Sequence, residues 1–350
     1  MPTDTGTVRG RRFLWLLSAF LVLPSLSSRA DDLDSKDFSL RFPAALSRFS
    51  SYGDVAGVGG ASAGSKWSSS INPASLAWLG IPSRYKTEIS PQYSQICFDN
   101  GAKLHVTTET LAVDWGDWGV FQPSIAQVWS NTSTTRQGLD FGYEMDYAQM
   151  QWAKRISKDW SLGGAFNFTK SKIDLDAGPF DVADSHSESY GFRAGALTRV
   201  TDKLLFGTVL DYAFSPGRTT QFDFMHTGMG DVRTEDTTHQ FLLRPGVSYE
   251  YATDSSINFD YQFGSFFNDT GTLNVNRFYT GMDHRICKWL FARAGTNLDT
   301  EGNCAWTTGI GIYPTDWFTI DIGYQHNAFP EVKKEFGNAQ LVTLSVGIRF

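Results

Sequence analysis

Cysteine is scarce in this chain: three residues in 350 exclude a disulfide-stapled scaffold. Charge is scarce as well, at 19% of residues, and acids outnumber bases by 37 to 30, which argues against a general nucleic-acid binder. Beyond residue 30 no apolar run approaches 18 residues, so no membrane-spanning helix is expected. The six histidines do not fall at metal-ligand spacing, with His226 and His239 thirteen apart and His105, His186, His284 and His326 scattered. His326 and Asp321 lie on opposite faces of one strand by parity, and no Ser/His or Asp/His hydrolase group stands out. No metal, cofactor or catalytic residue is therefore expected.

What is abundant is aromatic residues (15%) and glycine, 33 in all. The first thirty residues read as a cleaved secretory signal. Arg9, Arg11 and Arg12 precede an apolar stretch from Phe13 to Leu26, and Ser28-Arg29-Ala30 supplies small residues for cleavage after Ala30. A mean hydropathy of −0.26 would suit a soluble exported domain. The pattern after residue 84 argues otherwise.

From residue 84 onward, period-2 alternation recurs throughout. In Leu341 to Phe350 one face reads Val342, Leu344, Val346, Ile348 and Phe350, the other Thr343, Ser345, Gly347 and Arg349. Residues 317–326, 257–264 and 204–213 repeat it. A soluble sandwich also alternates, but three features favour the inverted arrangement of a membrane barrel. The segments run about 10–13 residues, long for ordinary strands. The polar face is rich in Gly and charge. Trp115, Trp118, Trp152, Trp160, Trp289, Tyr313 and Trp317 flank turns as a girdle would.

Connections alternate in length. Short polar turns are expected at 116–117, 157–159, 201–203, 253–255, 287–288 and 314–316. Longer loops are expected at 97–102, 131–138, 174–187, 215–237, 268–273, 299–303 and 328–338. Six turns and seven loops demand fourteen strands, so the fold class is all-β, a 14-stranded antiparallel transmembrane β-barrel. Parity assigns Asp146, Asp211, Asp260, Asp321, Arg193, Arg199, Arg244, Arg293 and Arg349 to the lumen, as mixed-sign pairs and not as an ion-selecting ring. Cys97 and Cys304 share the long-loop side, which permits a disulfide between them, while Cys287 lies on the other.

Residues 31–83 do not alternate. GVGGASAG (Gly57 to Gly64) fails the G-x-G-x-x-G spacing, since Ser62 stands at the third glycine, and no βαβ unit follows. Asn72-Pro73 reads as a helix cap followed by a first-turn proline, with Ala74, Leu76, Ala77 and Leu79 continuing a short helix. The expected organisation is a signal peptide over 1–30, a plug or hatch over 31–83 and a barrel over 84–350.

The Gly57–Ala61 GxGGA stretch, Asn72-Pro73-Ala74, and fourteen strands beyond resemble the FadL family of outer-membrane transporters for long-chain fatty acids and aromatic hydrocarbons. They are also similar to the related PorV-type barrels of protein secretion systems. Ser68-Ser69-Ser70 replaces the family's usual spacer, and Ser75 replaces a Gly. The resemblance implies a plugged barrel in the outer membrane of a Gram-negative-type bacterium, with its N-terminus periplasmic. An apolar ligand would be caught among the long loops and leave sideways beside a kinked third strand. Gly57, Gly59, Gly60, Asn72, Pro73 and Ala74 then belong to the plug. Pro123, within a third strand from Trp118 to Asn131, reads as a bulge or kink. Phe222, Phe224, Met225 and Met229 offer a greasy capture surface in the longest loop. Phe350 resembles the C-terminal signal read by barrel-assembly machinery. Expected partners are outer-membrane lipids, that machinery, an apolar small molecule and, in the PorV-like alternative, a secreted protein or partner barrel. A general porin is a third reading, disfavoured by the plug.

Overall fold

The computed structural model describes residues 38–66, 69–78, 85–131, 133–135, 138–223 and 230–350. The signal segment, and Phe224, Met225 and Met229, lie outside the described residues. Leu33–Phe350 form one compact unit, so hatch and wall are not separate bodies.

The wall is one antiparallel sheet closed on itself. Its strands are β1 (Thr87–Phe98), β2 (Lys103–Asp114), β3 (Val120–Ser130), the two-residue β4 (Ser133–Thr134), β5 (Asp140–Arg155), β6 (Trp160–Ala177), β7 (Phe180–Thr201), β8 (Leu204–Gln221), β9 (Val232–Ala252), β10 (Ser255–Asn268), β11 (Gly271–Cys287), β12 (Leu290–Asp299), β13 (Cys304–Thr315), β14 (Phe318–His326) and β15 (Ala339–Arg349). Each full-length strand pairs with its neighbours in sequence, β3 pairs with β5 past the β4 stub, and β1 pairs with β15. Fourteen barrel strands result, with no free edge. The last residue completes the seam: Phe350 N–H donates to Thr87 O (3.0 Å), and Phe350 O accepts from Thr87 N–H (3.1 Å).

Alternation sorts the side chains as an inverted barrel requires. Ile89, Leu111, Ile125, Phe166, Phe192, Leu210, Ile257, Phe278, Ile310, Ile322 and Leu344 are exposed on the outside, while Ser94, Thr110, Gln151, Asp260, Arg277 and Thr343 are buried within. Trp115, Trp118, Trp160, Trp289 and Trp317 stand exposed at the short-turn end, and Trp152 Nε1 donates to Trp118 O (2.8 Å). Tyr313 does not join that girdle. Its hydroxyl points inward, donating to Asp321 Oδ1 (2.9 Å) and accepting from Arg293 Nη2 (2.7 Å). A second belt, unforeseen from the sequence, uses histidine at the long-loop end. His105 stacks on Trp129 and bonds Tyr93, His239 stacks on Phe267 and bonds Tyr212, and His326 stacks on Trp306. An imidazole between rings serves such a belt because it is flat, apolar on its faces and polar at its edge.

Three expected loops are strand instead. The connection placed at 174–187 is a hairpin in which β6 and β7 run on to Ala177 and Phe180, that at 215–237 shrinks to 222–231, and that at 268–273 shrinks to 269–270. Above the apolar band both faces of a strand meet water, so alternation stops while the hydrogen-bond ladder continues. The same crossing of the belt explains Asp146. It lies on the outer face, accepting from Gln127 Nε2 (3.2 Å), and not in the lumen.

Candidate functional site

Residues 38–66 and 69–78 run inside the barrel as α1 (Phe38–Leu46), α2 (Gly53–Gly57) and a 3-10 turn, Pro73–Ala77. Asn72 begins that turn. Its Oδ1 accepts from Ala74 N–H (3.0 Å), and its Nδ2 donates to Ala63 O (2.7 Å) and Ala196 O (3.0 Å), so one buried amide ties the turn, the glycine segment and the wall together. Pro73 needs no donor at the first position. Ala74 O accepts from Ser161 Oγ (2.9 Å).

The hatch can lie flat because the wall is glycine where it passes. A Cβ at Gly163 would come 2.5 Å from the Pro73 carbonyl carbon, and one at Gly195 would overlap the Asn72 amide. A Cβ at Gly309 would stand 2.9 Å from Gly57 Cα. The hatch glycines answer in kind: Gly57 O accepts from Thr307 Oγ1 (3.0 Å), Gly60 O accepts from Arg244 Nη2, and Gly59, at φ +69°, turns the backbone against that of Thr296.

Arginine–carboxylate pairs fasten this contact. Arg244 meets Asp260 (3.0 Å) and covers the Tyr279 ring at 4.0 Å, while Asp260 Oδ2 accepts from Ser62 and Ala63 N–H at 2.8 Å each. Arg193 bonds Asp211 and Ser70 O, and Arg293 bonds Asp283 and Asp321. The remaining luminal cations take other partners: Arg349 holds Glu88, and Arg199 stacks on Trp78 at 5.0 Å. In α2, burial pushes the Asp54 carboxyl up to about 7, with Asp321 adding repulsion and Arg293 opposing it.

At the long-loop end the hatch meets a connection that folds inward, Pro330–Val332 as a 3-10 turn and α3 (Lys333–Phe336). Glu331 there is fully buried and binds Arg48 (2.6 Å) and Arg277 (2.7 Å), while Glu335 binds Arg41 (2.5 Å) and Asp299 binds Arg48 (2.8 Å). Beside this cluster the interior is filled by a packed apolar core. The inner faces of β1, β2, β3, β5 and β15 supply Ile96, Phe98, Leu104, Val106, Val128, Phe141, Tyr143 and Leu341, the hatch Phe42 and the inward loop Phe329 and Phe336. Phe42 packs edge-on to Tyr143 (5.0 Å), and Phe336 lies 5.1 Å from Phe98 and 4.9 Å from Phe141. Lower on the same strands the interior turns polar, at Gln92, Thr108, Ser124 and Gln151. A cavity of about 970 Å³ lies along the hairpins of β6–β10; Lys170, Glu188, Arg218 and Glu235, which line it, share the outer faces of their strands with Phe166, Phe192, Leu210 and Tyr249, so it is a groove on the outside of the wall.

Sequence reasoning placed the greasy site in the loop after β8. Of its residues, Phe222 is half-buried and described, its N–H donating to Val182 O (3.0 Å), and it is not part of the apolar core. The sequence does not single out this core because the alternation inverts at this level: on β2 and β5, Leu104, Val106, Phe141 and Tyr143 face inward while Lys103, Thr107, Gly142 and Glu144 face outward, as on a strand above the bilayer.

Pro123 is not at a bulge. β3 holds one register with β5 throughout, and with β2 the same register resumes on both sides of a lapse at Gln122 and Pro123. A missing N–H removes a ladder bond without inserting a residue. Pro91 leaves the same lapse between β1 and β15, Pro216 between β7 and β8, and Pro245 between β9 and β10. Cys97, Cys287 and Cys304 are free. Cys97 and Cys304 stand on strands three ladder steps apart, roughly 14 Å at about 4.8 Å per step, beyond disulfide reach. Among the described residues no group of three or more His, Cys, Asp or Glu could hold a metal ion.

No protein-family model matches the sequence, and no curated protein resembles it. Solved structures do share its fold. The Ralstonia pickettii toluene transporter TbuX superposes with a TM-score of 0.62 at 13% identity, over 85% of this chain and 98% of that one. The monoaromatic hydrocarbon channel CymD gives 0.59 at 12%, over 85% and 97%. A Pseudomonas aeruginosa FadL homologue gives 0.58 at 14%, over 86% and 98%. The architecture is that of the FadL-type barrels.

Proposed function

We propose that this chain is an outer-membrane barrel that passes small apolar molecules, long-chain fatty acids or aromatic hydrocarbons, passively inward past a resident hatch. The observation that carries this reading is the apolar core beneath the long loops. A lumen lined lower down by Ser, Thr, Gln and ion pairs turns aromatic beneath the long loops, and apolar surface there lets hydrocarbon leave water favourably. The exposed apolar outer face between two aromatic belts fits a bilayer, and the shared fold with hydrocarbon channels supports the same direction. Ligand would enter between the long loops, displace Phe42 and Phe336, and leave sideways where Pro91 and Pro123 thin the ladders. No cofactor takes part.

The test is saturable binding of an apolar ligand to the purified protein in detergent, with uptake by cells that express it. Pro123→Ala and deletion of 216–230 are both expected to slow uptake. If no apolar ligand binds and both variants take it up at the wild-type rate, the reading fails.

A PorV-like scaffold for a secreted protein or partner barrel is the second reading. The hairpins of β6–β9 favour it: beyond the belt their outer faces carry Lys172 paired with Asp174 and Arg218 paired with Glu235, polar surface suited to protein contact. Co-purification of a stable protein partner from the native membrane, without bound lipid, would support it over transport.

A further inference from the structure

We infer that the rim of the lumen at the short-turn end binds a phosphate group. The motive is a break in how the wall's inward arginines are paired. Arg193, Arg244, Arg277, Arg285, Arg293 and Arg349 each hold a carboxylate. Arg155 and Arg199 face the same interior, on the parity of Ala153 in β5 and of Leu197 in β7, yet neither has a carboxylate partner among the described residues. Both converge on the end of the hatch. Their guanidinium carbons lie 4.4 and 5.0 Å from the centroid of the Trp78 ring, which is fixed by its Nε1 donating to Ser161 Oγ (2.6 Å). Stacking uses the flat face of a guanidinium and leaves its N–H edge for an anion. Of those edges, Arg155 Nη2 donates to the Lys158 carbonyl (2.5 Å).

The surroundings suit a doubly charged, tetrahedral anion better than a carboxylate. Lys66, Lys158 and Lys203 join the two arginines at this rim, against Asp159, Asp202 and Glu250. Lys66 binds Glu250 (3.1 Å), and five cations against three acids leave two positive charges over, in a chain whose net charge is −7. A phosphate monoester carries nearly that charge at neutral pH and takes forked donors on more than one side. Beside Arg199 a cavity of about 20 Å³, lined also by Lys66, Lys203, Ser248 and Ser256, has room for one oxygen and offers it amine and hydroxyl donors. This rim is at the opposite end of the barrel from the apolar core, so the inference does not depend on what crosses the barrel.

The experiment is equilibrium dialysis of radiolabelled inorganic phosphate against the full chain in phosphate-free maltoside micelles, at about 0.15 M salt to screen diffuse attraction. Saturable binding is expected, weakened about tenfold in Arg155→Gln and in Arg199→Gln. Arg349→Gln, on the same rim but spent on Glu88, is expected to bind as wild type does. Heat-modifiable migration shows that each variant is folded. Phosphatidic acid displacing the label at lower concentration than glycerol phosphate assigns the site to a lipid headgroup, and equal displacement assigns it to a soluble phosphate. Absence of saturable binding, wild-type binding in both folded arginine variants, or an equal loss in Arg349→Gln overturns the inference and leaves the transport reading untouched.

Discussion

At the residue scale, the hatch is held by a few buried polar side chains whose partners come from distant strands. Asp54 shows how this couples to pH. Its folded carboxyl titrates near 7, above the ordinary value of 3.8, so the folded state favours its protonated form. The resulting stability is full below about pH 4 and is lost as pH rises through about 7. Asp54→Asn removes this dependence. In detergent, the difference in melting temperature between pH 5 and pH 8 is expected to shrink by roughly 2–4 °C in the variant. An unchanged difference would place the titration elsewhere. Asn72 is the neutral counterpart, an amide whose bonds to Ala74, Ala63 and Ala196 no shorter side chain reproduces.

At the element scale, the contact between hatch and wall depends on backbone approaching backbone. Gly163 and Gly195 lie on adjacent strands under Pro73, and both can take a β conformation with any residue, so Val at either leaves the ladder intact but unseats the turn. Gly163→Val and Gly195→Val are expected to keep a heat-modifiable barrel while Lys66 becomes a trypsin site in minutes. Protection equal to wild type would show that the hatch seats by another route. The proline lapses belong to the same scale. Pro123→Ala restores one donor and is expected to stabilise the barrel by about 0.5–1.5 kcal/mol, read from unfolding in urea.

At the scale of the whole molecule, the ladder closes from β1 to β15 without any bond from the hatch. Deleting 38–78 is therefore expected to leave a barrel that inserts into planar bilayers with a large steady conductance. Thermal stability should fall, because Arg193, Arg244, Arg277 and Arg293 lose partners or packing. A variant as silent as wild type would assign the block to the inward loop at 328–338. Heat-modifiable migration tests the barrel itself.

The strand count, the six tight turns and the faces of β8, β10, β14 and β15 were legible because a side chain alternates sides every residue wherever one face meets hydrocarbon. The Asn72-Pro73 turn was legible too, since capping is local chemistry between neighbours. Four features were not. The strands running on past the belt, the outward Asp146, the inward Tyr313 and the histidine belt all depend on where each strand crosses the membrane boundary, which register and tilt decide. The apolar core and the Arg41–Arg48–Arg277 cluster lay furthest out of reach. The residues of the cluster come from the hatch, β11, β12 and the loop at 328–338, nearly three hundred positions apart between Arg41 and Glu335, and those of the core from five strands besides. Local pattern determines which strands form and which way they face. Only closure of the barrel around the hatch decides which distant charges neutralise one another, and so what the interior leaves for a ligand.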